Sequence, residues 1–258
     1  MVTNSTDTGT IDTGKIDTEE LGTPESEWAC WDHVYPALDL SRCREMIVVA
    51  PHPDDEVLGV GGLMAMAAAT GITVTVLAVT DGGASHPGSP TVTPDQLVAE
   101  RSRETRRALR QLGLDLDPIR LGFGDGEVSA HEEELTHALT EFLSNEPGTW
   151  ALLPWRGDGH PDHEATARAC LTASERLGIT AVEYPVWMWH WARPGDSSVP
   201  WDRAFAVELG SDVTEAKRRA AAQFVTQTTA LSSDPADRPV LPPHVLERLL
   251  RPYEVVFA

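Results

Sequence analysis

Apolar residues come along this chain in short blocks, and the blocks alternate between two periodicities. Residues 46–50, 72–79, 118–123, 150–153 and 179–184 are compact and rich in β-branched or aromatic side chains, which predicts buried strands. Between them lie longer segments with helical spacing. Residues 57–70 form a helix of small side chains closed by Gly71, and 94–112 a charged helix stopped by Gly113. The apolar side of that second helix is Leu97, Ala108, Leu109 and Leu112. Further helices are predicted from about 130 to 144 and over 162–177. Strands alternating with helices imply a mostly parallel sheet covered on both faces, with right-handed crossovers: an α/β, Rossmann-like three-layer sandwich.

The pattern weakens after Tyr184, leaving a strand over 203–209, a helix over 213–224 and a last strand over 255–257. No linker separates these from the rest, so 28–258 reads as one domain. Residues 1–27 are rich in Thr, Asp, Gly and Ser and too poor in apolar groups to offset their ordering entropy, so they are expected to be a disordered tail. Trp28, Trp31, Val34, Tyr35 and Leu38 then follow with helix-like spacing and should cover an edge or face of the sheet.

Charge narrows the partners. The 258 residues carry a formal net charge of -20, which would repel phosphate backbones and anionic lipid, so neither nucleic acid nor a membrane is expected. The three cysteines are widely spaced, without a Cys-x-x-Cys pair, which suits a reducing compartment. With no basic-then-apolar leader and no apolar run long enough to span a bilayer, a cytoplasmic location is expected.

Two strands end in the same words. Pro51-His52-Pro53-Asp54-Asp55-Glu56 follows the first, and His160-Pro161-Asp162-His163 follows the fourth. Proline suits the first helical turn, where its missing N–H needs no partner, and acids there favour the positive end of the helix dipole. A single His-Pro-Asp could be only a helix cap or turn. Two of them at strand ends in a doubly wound sheet converge, because ligands gather where such strands end. The convergent set is His52, Asp54, Asp55, His160, Asp162 and His163. Imidazole and carboxylate suit Zn2+, Fe2+ or another divalent ion, and a catalytic zinc takes three protein ligands and a water that becomes hydroxide near neutral pH. The remaining carboxylate and His would serve as general base and oxyanion-side acid. Asp162 fits either a helix N-terminal acid or an acceptor that orients a ligand imidazole.

These motifs resemble those of the LmbE/PIG-L family of metal-dependent N-acetylglucosaminyl deacetylases, with the likeness running from about residue 46 to 177 and fainter to about 227. The resemblance implies an LmbE-like fold and the hydrolysis of an N-acetyl or other N-acyl group on an amino sugar, such as a small-molecule conjugate containing N-acetylglucosamine. It implies that His52, Asp55 and His163 hold the metal and that Asp54 is the general base. His160, in its protonated form, would stabilise the oxyanion or protonate the leaving amine. Arg101 and Glu104 match the family's Arg-x-x-Glu, whose Arg resembles a sugar-binding residue, and Asp125 resembles an Asp that binds sugar hydroxyls. Without the resemblance, Arg101 reads as a helix-surface ion pair and Asp125 as a turn former. One departure stands out: several family members carry Tyr two residues before the second motif, where this chain has Asp158. The oxyanion contact is then left to His160 and the metal.

Trp187, Trp189 and Trp191 alternate after the fifth predicted strand, so in an extended segment they share one face. Trp187 and Trp189 could there form a wall for a sugar ring or lipophilic aglycone, or equally a core or dimer contact, which leaves a homo-oligomer open. His190 is a further candidate near the site. Three competing readings are an amidase of the same fold acting on a bulkier non-sugar amide, a non-catalytic metal-binding scaffold and a nucleotide-binding module. The last rests on Gly59-Val60-Gly61-Gly62 after a strand, but Met64 stands where GxGxxG needs glycine and the acids just before it would repel phosphate.

Overall fold

The computed structural model describes Ile16 and residues 18–258. Most of the expected tail, residues 1–15 and Asp17, lies outside the described residues. The elements in chain order are α1 (Glu25–Ala29), β1 (Glu45–Ala50), α2 (Asp55–Ala69), β2 (Thr73–Thr80), α3 (Pro94–Gln111), β3 (Ile119–Phe123), α4 (Glu132–Phe142), β4 (Thr149–Pro154), α5 (Pro161–Leu177), β5 (Thr180–Tyr184), α6 (Met188–Trp191), β6 (Ala204–Glu208), α7 (Ser211–Ala221), α8 (Val225–Thr228), α9 (Pro243–Leu249) and β7 (Tyr253–Phe257).

The strands form a seven-stranded sheet in the order β3-β2-β1-β4-β5-β7-β6. The first five are parallel, and β7 and β6 extend the sheet antiparallel. Strand order reverses between β1 and β4, the place where a doubly wound sheet opens a crevice. Alternation along β1 builds two cores at once: Met46 and Val48 pack into one apolar cluster, Ile47 and Val49 into the other. Helices α2, α3 and α7 pack together, as α4 and α5 do.

Helix α2 carries the first motif and is not continuous. Val60 departs from helical geometry (φ -138°, ψ 23°), which frees backbone groups inside the protein. Glu254 accepts the N–H groups of Gly62 and Leu63 at 2.7 and 2.8 Å, while Lys217 Nζ donates to Leu58 O at 2.8 Å and pairs with Glu254 at 2.7 Å. The glycines beside the kink are there for close packing: a Cβ on Gly59 would meet the Tyr184 ring at 2.3 Å and one on Gly62 would meet Leu209 at 2.5 Å. They line no phosphate loop, and the nucleotide-binding reading falls with them.

Three sequence expectations need correction. The tail boundary at 27 lies too late, because residues 18–27 include docked chain: Arg248 donates to Leu21 O and Thr23 O, and Arg251 binds Glu25. Residues 28–38 are helical only to Ala29, and Pro36, which has no N–H to donate, bars helical bonding later in the segment; Trp31, Tyr35 and Leu38 still pack on the core, and Ala37 bridges edge strand β6. The tryptophan run is helical turn α6 rather than an extended wall. Trp189 spends its ring against Trp28 and Trp201 and under the Arg251 guanidinium, all inside the core.

Candidate metal centre

Both His-Pro-Asp motifs stand at the carboxyl ends of neighbouring strands, β1 and β4, and their side chains meet. Ligand atoms of His52, His160 and His163 lie within 4.8 Å of one another, as do those of His52, Asp125 and Asp162. Asp55 Oδ2 sits 3.3 Å from His52 Nδ1 and 3.1 Å from His163 Nε2, and it also accepts the His52 backbone N–H at 2.9 Å. His163 Nε2 is buried and makes no hydrogen bond, although it faces this carboxylate. Two imidazole nitrogens and a carboxylate oxygen at about the spacing of neighbouring ligands on one ion, one of them orphaned, fit a divalent metal. His52 and His163, together with Asp55 or His160, are residues that could hold it.

The outer nitrogens of both imidazoles are engaged. His52 Nε2 lies 3.1 Å from Asp162 and 3.2 Å from Asp125, which leaves Nδ1 for the metal side. Asp162 accepts the backbone N–H groups of Gly126 and Val128, so it is a fixed acceptor for His52 as well as an acid in the first turn of α5. Asp125 accepts the Ala84 N–H at 2.7 Å and is tied to His52, which gives it a role beyond a turn. On the other side, His163 Nδ1 meets Asp158 Oδ2 at 2.8 Å. Asp158 is fully buried and also accepts the N–H groups of Val186, Trp187 and Met188. Sequence reading singled out this position only as a departure from the family pattern; nothing in spacing places a residue of the β4–α5 loop against the loop after β5.

Protonation follows from this crowding. Burial disfavours a charge on His163, yet Asp55 and Asp158 outweigh it and lift its pKa to about 9. His52 is likewise raised by Asp125, Asp162 and Asp55 against the cost of burial. Asp55 is driven well below the usual carboxylate range because its two imidazole neighbours overcome burial. His160 goes the other way: burial first, then the positive neighbours His52 and His163, push it down to about 3. The expected protonated His160 is therefore replaced by a neutral ring. Its Nδ1 accepts the Asp162 N–H at 3.2 Å, which assigns the proton to Nε2.

Asp54 sits at the mouth of α2 with φ 138°. No other described non-glycine residue has positive φ, and such a conformation costs about 1–3 kcal/mol and persists only where the surroundings impose it. Glu56 accepts its N–H, and Arg101 Nη2 donates to its carboxylate at 3.0 Å and to Pro53 O at 2.7 Å. Burial raises the Asp54 pKa, Arg101 pulls it back, and Asp55 pushes it up again, to about 7. Arg101 also donates to Gly82 O and is 3 % exposed, so it is spent on Asp54 and neighbouring carbonyls rather than lying on a helix surface or reaching out to a sugar. Glu104 binds the Thr226 N–H and hydroxyl. Neither Trp189 nor His190 joins the cluster: His190 pairs with Arg248 beneath the N-terminal segment. Trp187 reaches the site through its backbone, on Asp158.

Comparison with known proteins converges on one family. Residues 47–174 match the family described as PIG-L, GlcNAc-PI de-N-acetylase. A diacetylchitobiose deacetylase of Thermococcus kodakarensis is 31 % identical over 55 % of this chain and 50 % of its own length. A 1D-myo-inositol 2-acetamido-2-deoxy-alpha-D-glucopyranoside deacetylase of Kineococcus radiotolerans is 28 % identical over 70 % of this chain and 57 % of its own. The chain thus spans little more than half the length of these relatives. Among solved structures, the zinc-inhibited form of the teicoplanin deacetylase Orf2 superposes with a TM-score of 0.62 at 19 % identity, covering 83 % of this chain and 97 % of that one, which supports the fold.

Proposed function

The chain carries a PIG-L (LmbE) family domain over residues 47–174, and from that premise we propose that it is a divalent-metal-dependent N-deacetylase acting on an amino sugar of the N-acetylglucosamine type. The observation that carries the reading is the convergence of His163 Nε2 and His52 Nδ1 on Asp55 Oδ2, at 3.1 and 3.3 Å, at the point where the two His-Pro-Asp motifs meet. The relatives' names supply the substrate class, and the chemistry rests on this chain's own residues.

A divalent ion held by His52, Asp55 and His163 would polarise an amide carbonyl and lower the pKa of water toward neutrality. Asp54, poised at about 7, can take the proton released by the attacking water and pass it to the nitrogen of the leaving amine. Arg101 holds that carboxylate in place through Nη2. His160 offers Nε2–H as a neutral hydrogen-bond donor to the developing oxyanion, the kind of fixed dipole that stabilises an acyl-transfer transition state. Asp162 keeps the His52 ring oriented. Asp125, partly exposed at the same rim, is placed to meet sugar hydroxyls.

The test is acetate release from a panel of N-acetylglucosamine conjugates by protein reconstituted with Zn2+ or Fe2+, beside the same protein treated with chelator. Release that depends on metal and falls away in Asp54→Asn supports the reading. No metal uptake by the wild type, or release unaffected by chelation, refutes it.

A further inference from the structure

Asp158 does more than replace an aromatic side chain of the family pattern. Its carboxylate collects four donors. Oδ1 accepts the N–H groups of Val186 and Met188, both at 2.9 Å, and Oδ2 accepts Trp187 N–H at 3.0 Å and lies 2.8 Å from His163 Nδ1. The side chain has no exposure at all, so these bonds form without competition from water. Its backbone is held too: Asp158 O accepts Trp191 Nε1 at 2.7 Å, and Asp158 N–H donates to Trp155 O at 3.1 Å. Three consecutive amides anchored on one carboxylate leave it no freedom to turn away from the imidazole.

We infer that Asp158 is a positioning residue that holds His163 as the Nδ1–H tautomer with Nε2 directed into the cluster, and that it fastens the loop of residues 185–192 to that ligand. The inference rests on the metal-site reading above, but its geometric half stands without it. A carboxylate behind a ligating imidazole fixes ring orientation and raises ligand basicity, and losing such a partner weakens metal binding by about 10–100-fold. Asn at this position keeps the shape and supplies one acceptor oxygen. Its amide group would confront either the loop N–H groups or His163 Nδ1–H, donor against donor.

The experiment has two arms. Nitrogen-15 spectra of the histidine rings, recorded on Zn2+-loaded protein, should show a slowly exchanging proton on His163 Nδ1. If the wild type takes up no Zn2+, the metal-dependent deacetylase reading falls, and the same spectrum of the metal-free protein above pH 9 decides the tautomer alone. A proton on Nε2 there, or zinc on Nδ1 in the loaded protein, overturns the inference. The second arm measures Zn2+ dissociation constants by competition with a chromogenic chelator for wild type, Asp158→Asn and Trp191→Phe. The last variant removes the Nε1 bond to Asp158 O and loosens the loop while sparing the carboxylate. Asp158→Asn should weaken Zn2+ by 10–100-fold and Trp191→Phe should leave it unchanged. Equal affinity in Asp158→Asn, or an equal loss in both variants, overturns the inference. If Asp158→Asn does not fold, the wild-type tautomer remains the deciding measurement.

Discussion

Metal uptake at this site must compete with protons, and the competition has a size. In the metal-free protein His163 is an imidazolium held between Asp55 and Asp158, with its pKa lifted to about 9. A metal can take Nε2 only after that proton leaves. At pH 7 the ring is two pH units below its pKa, so uptake is weakened by about 100-fold, or about 2.7 kcal/mol at 1.36 kcal/mol per unit. Affinity should therefore rise about tenfold per pH unit from 7 toward 9 and then level off. His52, raised in the same direction, steepens the slope. The assay is titration calorimetry with Zn2+ in two buffers of different ionisation enthalpy, which counts protons released, together with chelator competition across the pH range. Release of at least one proton at pH 7 is expected. Zero release with a flat affinity between pH 7 and 9 would mean that the metal does not sit on His163, and the ligand assignment would be wrong.

Further predictions follow from the same geometry. Asp54→Asn should retain metal yet lose about 10²–10⁴-fold in turnover, read as acetate release beside metal content. Glu254→Ala leaves the Lys217 ammonium buried and unpaired at the α2 kink and should cost about 3–5 kcal/mol in urea unfolding; a loss under 1 kcal/mol would show that the pair is dispensable. In metal-free protein the raised His163 pKa contributes stability that is complete below pH 6.5 and is lost as pH rises through about 9. His163→Gln should flatten that limb of a melting-temperature profile. Cys43 and Cys170 are buried and lifted to about 11 and about 12, whereas Cys30 is exposed. An aromatic disulfide reagent should thus titrate one thiol in the folded protein and three after denaturation.

Much of this protein could be read along the chain because its information is local. Strand blocks such as 46–50 and 150–153 alternate with helical segments, and that alone implies a parallel sheet whose strand ends carry the chemistry. His52, Asp55, His160 and His163 announced themselves because each stands at a strand–helix junction, in a motif repeated at two such junctions. What lay beyond reach depends on partners distant in sequence. Whether Arg101 faces solvent or Asp54 is decided by the packing of α3 beside the first motif, 47 residues away along the chain. Trp189 left the candidate site because Trp28 and Arg251 offered its ring a better-packed home than water did. The N-terminal residues from 18 to 27 are composed like a tail, and the groups that dock them, among them His190 O, Ala192 O, Arg248 and Arg251, come from the far end of the chain. Asp158 shows the division most sharply. Its sequence neighbours say only that a carboxylate replaces an aromatic ring, while its burial among three loop amides and His163 exists only once β4 and β5 lie side by side.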